Sequence, residues 1–206
     1  MAVVNHSKKW LYLMEPHTAS RAVTEVLLNQ LGGSKCGHHH ISIDHLTRRD
    51  RCEIPAKKIG DYRVVTTVRN PFDMLVTRFA PQTRHDTNFG EWVRERLDKD
   101  IGGPLPSAGL EATASHFVYY EHLVDDLQMT FGEYIDLDWN QKHKTIGKQP
   151  WYHYYENDEE LVNLLSNHWS GYLSKYGYEV AYDPYAAAPV VAINQTTRDR
   201  LVIPIR

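Results

Sequence analysis

Two segments constrain the fold more than anything else in the chain: Trp10-Leu-Tyr-Leu-Met-Glu-Pro-His-Thr-Ala-Ser-Arg-Ala-Val23 and Val64-Val-Thr-Thr-Val-Arg-Asn-Pro-Phe-Asp-Met-Leu-Val-Thr77. Each passes from an apolar, strand-like run through a turn into residues with helical spacing. Ala22, Val23, Val26, Leu27 and Leu31 recur on one face of a helix predicted over 19–31, which Gly32 and Gly33 terminate. Arg63 to Val68 is β-branched and almost uncharged after its first residue, the pattern of a strand covered on both faces, and Pro71 suits the first turn of a helix through Phe79. A chain that repeats strand, turn and helix builds a parallel sheet with right-handed crossovers.

The remaining pattern extends that alternation. Phe89 to Leu97 reads as a helix, His116 to Tyr120 as a third strand, Glu121 to Tyr134 as a helix, and Asp158 to Tyr176 as one long amphipathic helix. Gly102 to Gly109 is a glycine- and proline-rich loop able to cover a site, while residues 183–206 show no clear pattern and fit a wrap, an edge strand or an interface arm. The expected architecture is one α/β domain over 1–206, with its core at about 10–180 and a central parallel sheet flanked by helices.

Charge and cysteine content exclude several classes. A net charge of −3 gives no basic field for nonspecific nucleic-acid binding, so any anion site must be local. No apolar run approaches the roughly twenty residues that span a bilayer. Cys36 and Cys52 have neither CxxC spacing nor a secretory signal before them, so the sequence predicts a soluble, cytoplasmic chain without a disulfide.

The turns themselves suggest phosphate chemistry. A helix beginning near Ser20 points unpaired backbone N–H groups and the positive end of its dipole at the preceding turn. Ser20 fits either an ordinary N-cap or an anion contact. The Walker pattern GxxxxGK[ST] is absent, which removes direct support for an ATPase or GTPase. Arg69 ends a predicted strand and Thr77 lies eight residues later, so a planar guanidinium and a hydroxyl can serve one phosphate. The competing reading pairs Arg69 with Asp73 and leaves Thr77 as a packed helix residue.

On these residues the chain resembles the sulfotransferases that use 3′-phosphoadenosine 5′-phosphosulfate (PAPS). Pro16-His-Thr-Ala-Ser-Arg-Ala-Val23 resembles their 5′-phosphosulfate loop, with Arg21 and Ala22 as in the glycan-modifying branch. Arg69-Asn-Pro71 with Thr77 resembles their 3′-phosphate motif, Phe117-Val-Tyr-Tyr-Glu-His-Leu123 their strand-to-helix junction, and Tyr172 to Tyr178 their closing segment. The resemblance implies a three-layer P-loop NTPase-like fold and PAPS as co-substrate. It also implies cofactor contacts from Thr18, Ala19, Ser20, Arg21, Ala22, Arg69 and Thr77, and a hydroxyl- or amine-bearing acceptor, with no metal. The family lysine falls on His17 and the loop glycine on Ala19, so His17 takes the place of a catalytic ammonium with a weaker donor.

The resemblance also implies a catalytic histidine between the two motifs, where Gly37-His-His-His-Ile41 lies. His40, then His39, are the candidates for the base that takes the acceptor's proton. A solvated loop and a metal site compete with that reading. In a strand only His38 and His40 share a face, and no carboxylate or cysteine spacing completes a zinc set. Lys144 and Lys148 sit in a basic stretch that fits either a loop closing on the 3′-phosphate or ordinary solvated surface. Trp151, Tyr152, Tyr154 and Tyr155 suit core packing better than stacking on a ligand. Three other functions stay open: a sulfotransferase-like nucleotide binder without turnover, a divergent small-molecule kinase, and a histidine-dependent metal hydrolase.

Overall fold

The computed structural model describes residues 2–36, 54, 56–80, 88–98, 113–137 and 149–205. Their contacts divide the chain into two compact units, Met1–Arg69 with Ser107–His143 and Leu201–Arg206, and Asn70–Pro106 with Lys144–Arg200.

The first unit is built on a five-stranded sheet in the order β3-β1-β2-β4-β5. Its strands are β1 (Ala2–Asn5), β2 (Trp10–Leu13), β3 (Ser34–Cys36), β4 (Arg63–Val68) and β5 (His116–Tyr119). β2, β4 and β5 are parallel neighbours, with Leu11 opposite Val64 and Thr66 opposite Phe117. The sheet is mixed rather than parallel, because β1 pairs antiparallel with both β2 and β3. The cause is local. Only His6 to Lys9 join β1 to β2, and so short a connection permits only a hairpin. Lys9 turns the corner with φ 55°, and Asn5 braces the turn by accepting from the Lys8 amide at 2.8 Å.

Both faces of this sheet are covered, which explains the near-continuous apolar strands. Trp10, Tyr12, Val65 and Val118 face one way, against Val23, Val26 and Leu27 of α1 (Ser20–Asn29) and Leu123 and Leu127 of α4 (Leu123–Phe131). Leu11, Leu13 and Val64 face the other way, with Ala2, Val4, Ile54 and Tyr62. Complete burial of a leucine contributes about 1.5–3 kcal/mol, so the alternation along β2 fixes its register firmly. At the end of α1 the chain turns through Gly32 (φ 66°), and Gly33 passes so close to Val3, Leu27 and Trp10 that a Cβ would meet their atoms at 2.5–2.9 Å.

The second unit holds α2 (Pro71–Phe79), α3 (Phe89–Asp98), α5 (Glu159–His168), α6 (Ser170–Tyr176) and an antiparallel hairpin of β6 (Tyr178–Asp183) and β7 (Ala188–Ile193). Most of α7 (Gln195–Leu201) also belongs to it. Its interior is aromatic: Phe72 meets Trp169 at 5.0 Å and Tyr155 at 5.3 Å between ring centroids, and Phe79 meets Phe89 at 5.1 Å. Tyr155 is fully buried and donates to the Phe72 carbonyl at 3.0 Å, and burial holds its hydroxyl well above the ordinary range. Packing is thus the role of Tyr155.

Three further expectations change, and one left open is resolved. The helix predicted over 158–176 is two helices, broken where Trp169 leaves helical geometry (φ −96°, ψ 12°) and turns its ring into the aromatic core. The helix predicted from Glu121 is a 3-10 turn, Tyr120–His122, followed by α4, which stops at Gly132 in the left-handed region. Residues 183–206, read as a wrap, an edge strand or an interface arm, carry the edge strand β7 and also α7, with Ile205 donating to the Thr130 carbonyl at 2.8 Å. Cys36, at the end of β3, is disulfide-bonded. The bond overturns the expectation of a chain without a disulfide. No helix among the described residues is long and apolar enough to cross a membrane.

Candidate anion site at the ends of three parallel strands

Because β2, β4 and β5 are parallel, their carboxyl ends lie together, where open α/β sheets hold ligands. β2 runs out into Glu15 to Ala19, β4 into Arg69, and β5 into Tyr120.

The first of these turns is left-handed at two residues that are not glycine: His17 has φ 60° and Ala19 φ 57°. Such backbone costs about 1–2 kcal/mol per residue and persists only where neighbours impose it. One of them is Thr18, fully buried, whose hydroxyl donates to the Glu15 carbonyl at 2.8 Å. Below the turn, Tyr12 shares a 2.8 Å hydrogen bond with Thr67, and Thr66 donates to the Leu13 carbonyl at 3.0 Å. Burial pushes the Tyr12 hydroxyl far above its usual range; the Thr67 contact opposes that shift and the nearby Glu15 carboxylate adds to it.

Arg69 comes from the neighbouring strand and completes the turn. Its side chain is buried, with 4 % of its surface exposed, and Nη1 donates to the His17 carbonyl. Its guanidinium lies over the Tyr120 ring, with Cζ 3.7 Å from the centroid. Tyr120 is set in turn by the end of β5, where the Tyr119 amide donates to the fully buried Asp126 carboxylate at 2.8 Å. One arginine thus ties the ends of all three strands together.

At its start α1 lacks protein partners of the usual kind. Its N-cap is Ala19, not Ser20, with no side-chain capping bond and no acidic residue in the first turn. Arg21, the second residue, is exposed and of the sign that the dipole disfavours. The arrangement presents backbone N–H groups and a half-buried serine beside a fixed guanidinium, a setting suited to a tetrahedral oxyanion. No protein family, characterised protein or solved structure matches the chain.

The predicted site residues divide clearly. His17, Thr18, Ala19, Ser20 and Arg69 come together in the first unit, with Thr18 spending its hydroxyl on the turn and Ala22 packing its side chain into the core. Thr77 lies on α2 in the second unit, and its hydroxyl donates to the Asp73 carbonyl at 2.9 Å, one helical turn back. His38, His39, His40, Lys144 and Lys148 lie outside the described residues, as does the 102–109 loop. Among the described residues no group of three histidine, cysteine or acidic side chains is arranged for a metal ion. Sequence reasoning passed over Tyr120, Glu15 and Asp126. The available signal was position: Tyr120 is the first residue beyond a parallel strand, as Arg69 is.

Proposed function

We propose that the strand ends of the first unit bind the phosphosulfate of PAPS and that the protein is a sulfotransferase acting on a hydroxyl- or amine-bearing acceptor. The observation that carries this reading is the Arg69 side chain seated on the turn before an α1 N-terminus without a side-chain cap. It is supported by the resemblance of Pro16 to Val23 and of Arg69 to Thr77, to which the P-loop-like relation of β2, turn and α1 also belongs. Thr77 enters from its spacing to Arg69 alone.

In this reaction the acceptor oxygen or nitrogen bonds to sulfur as the bond from sulfur to the phosphate oxygen breaks. Adenosine 3′,5′-bisphosphate leaves, and the acceptor's proton passes to a base, a role assigned to His40 and then His39. Negative charge grows on the leaving phosphate, so fixed donors lower the barrier without covalent help. The α1 amides and Ser20 are such donors, His17 adds an imidazole where an ammonium serves the family, and Arg69 is assigned to the 3′-phosphate. This substitution favours a second reading, a nucleotide binder with little turnover.

Thermal unfolding with adenosine 3′,5′-bisphosphate, 5′-AMP and ATP tests the binding, since a ligand stabilises the fold in proportion to its affinity and concentration. The bisphosphate is expected to raise Tm most. Equal shifts with 5′-AMP remove the special role of the 3′-phosphate. Release of bisphosphate from PAPS in the presence of hydroxyl and amine acceptors then separates enzyme from binder, and a gain of turnover in His17→Lys supports the position assigned to His17.

A further inference from the structure

We draw no further inference here: the strongest candidate, the cleft between α1 and residues 136–137 lined by Ala22, Glu25, Val26 and Asn29, rests on two exposed carboxylates, Glu25 and Asp136, and no second observation among the described residues points to a ligand in it.

Discussion

The turn after β2 and the turn after β4 look alike in sequence, yet they satisfy their helices in opposite ways. The α2 N-terminus is complete in itself: Asn70 accepts from the Phe72 amide at 2.9 Å, Pro71 removes a donor that would need a partner, and Asp73 supplies a negative charge. The α1 N-terminus has none of these devices, and its cap is a strained alanine. A self-capped helix has little use for an anion, whereas the uncapped one is where the proposed anion site lies. Two turns of similar pattern therefore play unlike parts, one receiving and the other lending its arginine.

Removing Arg69 should break this contrast most severely. Arg69→Ala deletes a buried charge-assisted hydrogen bond and a desolvated cation–ring contact, and a loss of about 3 kcal/mol in urea unfolding is expected. A loss below about 1 kcal/mol would mean the turn stands without it. Next comes Thr18→Val, which keeps the shape but leaves the buried Glu15 carbonyl without its donor; about 2 kcal/mol is expected, with weakened bisphosphate binding.

Asn70→Ala is the matching cut at the second turn. Loss of an ordinary cap predicts about 1 kcal/mol of destabilisation and no change in bisphosphate affinity measured by calorimetry. A drop in affinity there as large as that in Thr18→Val would erase the distinction between the turns. The smallest effect is expected for Ala19→Gly. Relief of left-handed strain, about 1 kcal/mol, nearly offsets the greater chain entropy of glycine, so Tm should move little or rise slightly. A clear loss would place the strain elsewhere.

Much of the fold was legible where the pattern is local. The boundaries of β4 and α2 follow from the β-branched run Arg63 to Val68 and from Asn70-Pro71, and both appear as expected. What escaped depends on partners distant in the chain. Ala2 to Asn5 is too short to declare itself a strand, and becomes one because Val3 and Val4 pair with both β2 and β3. Trp169 fits a helical stripe, and its departure from helical geometry and its contact with the Phe72 ring depend on partners distant in the chain. The residues of the first turn could be named from sequence, but their geometry could not. The spacing of Arg69 suggests a phosphate contact, but its link to His17 joins residues whose proximity depends on the parallel pairing of β2 with β4.

A trans peptide unit carries its carbonyl and the following amide on opposite sides of one rigid plane, and no cis bond occurs among the described residues. Holding the His17 carbonyl therefore also aims the Thr18 amide, in the direction away from the guanidinium. Arg69 works on the turn as a compass needle works on a card: one bond to one oxygen sets the heading of a donor that it never touches.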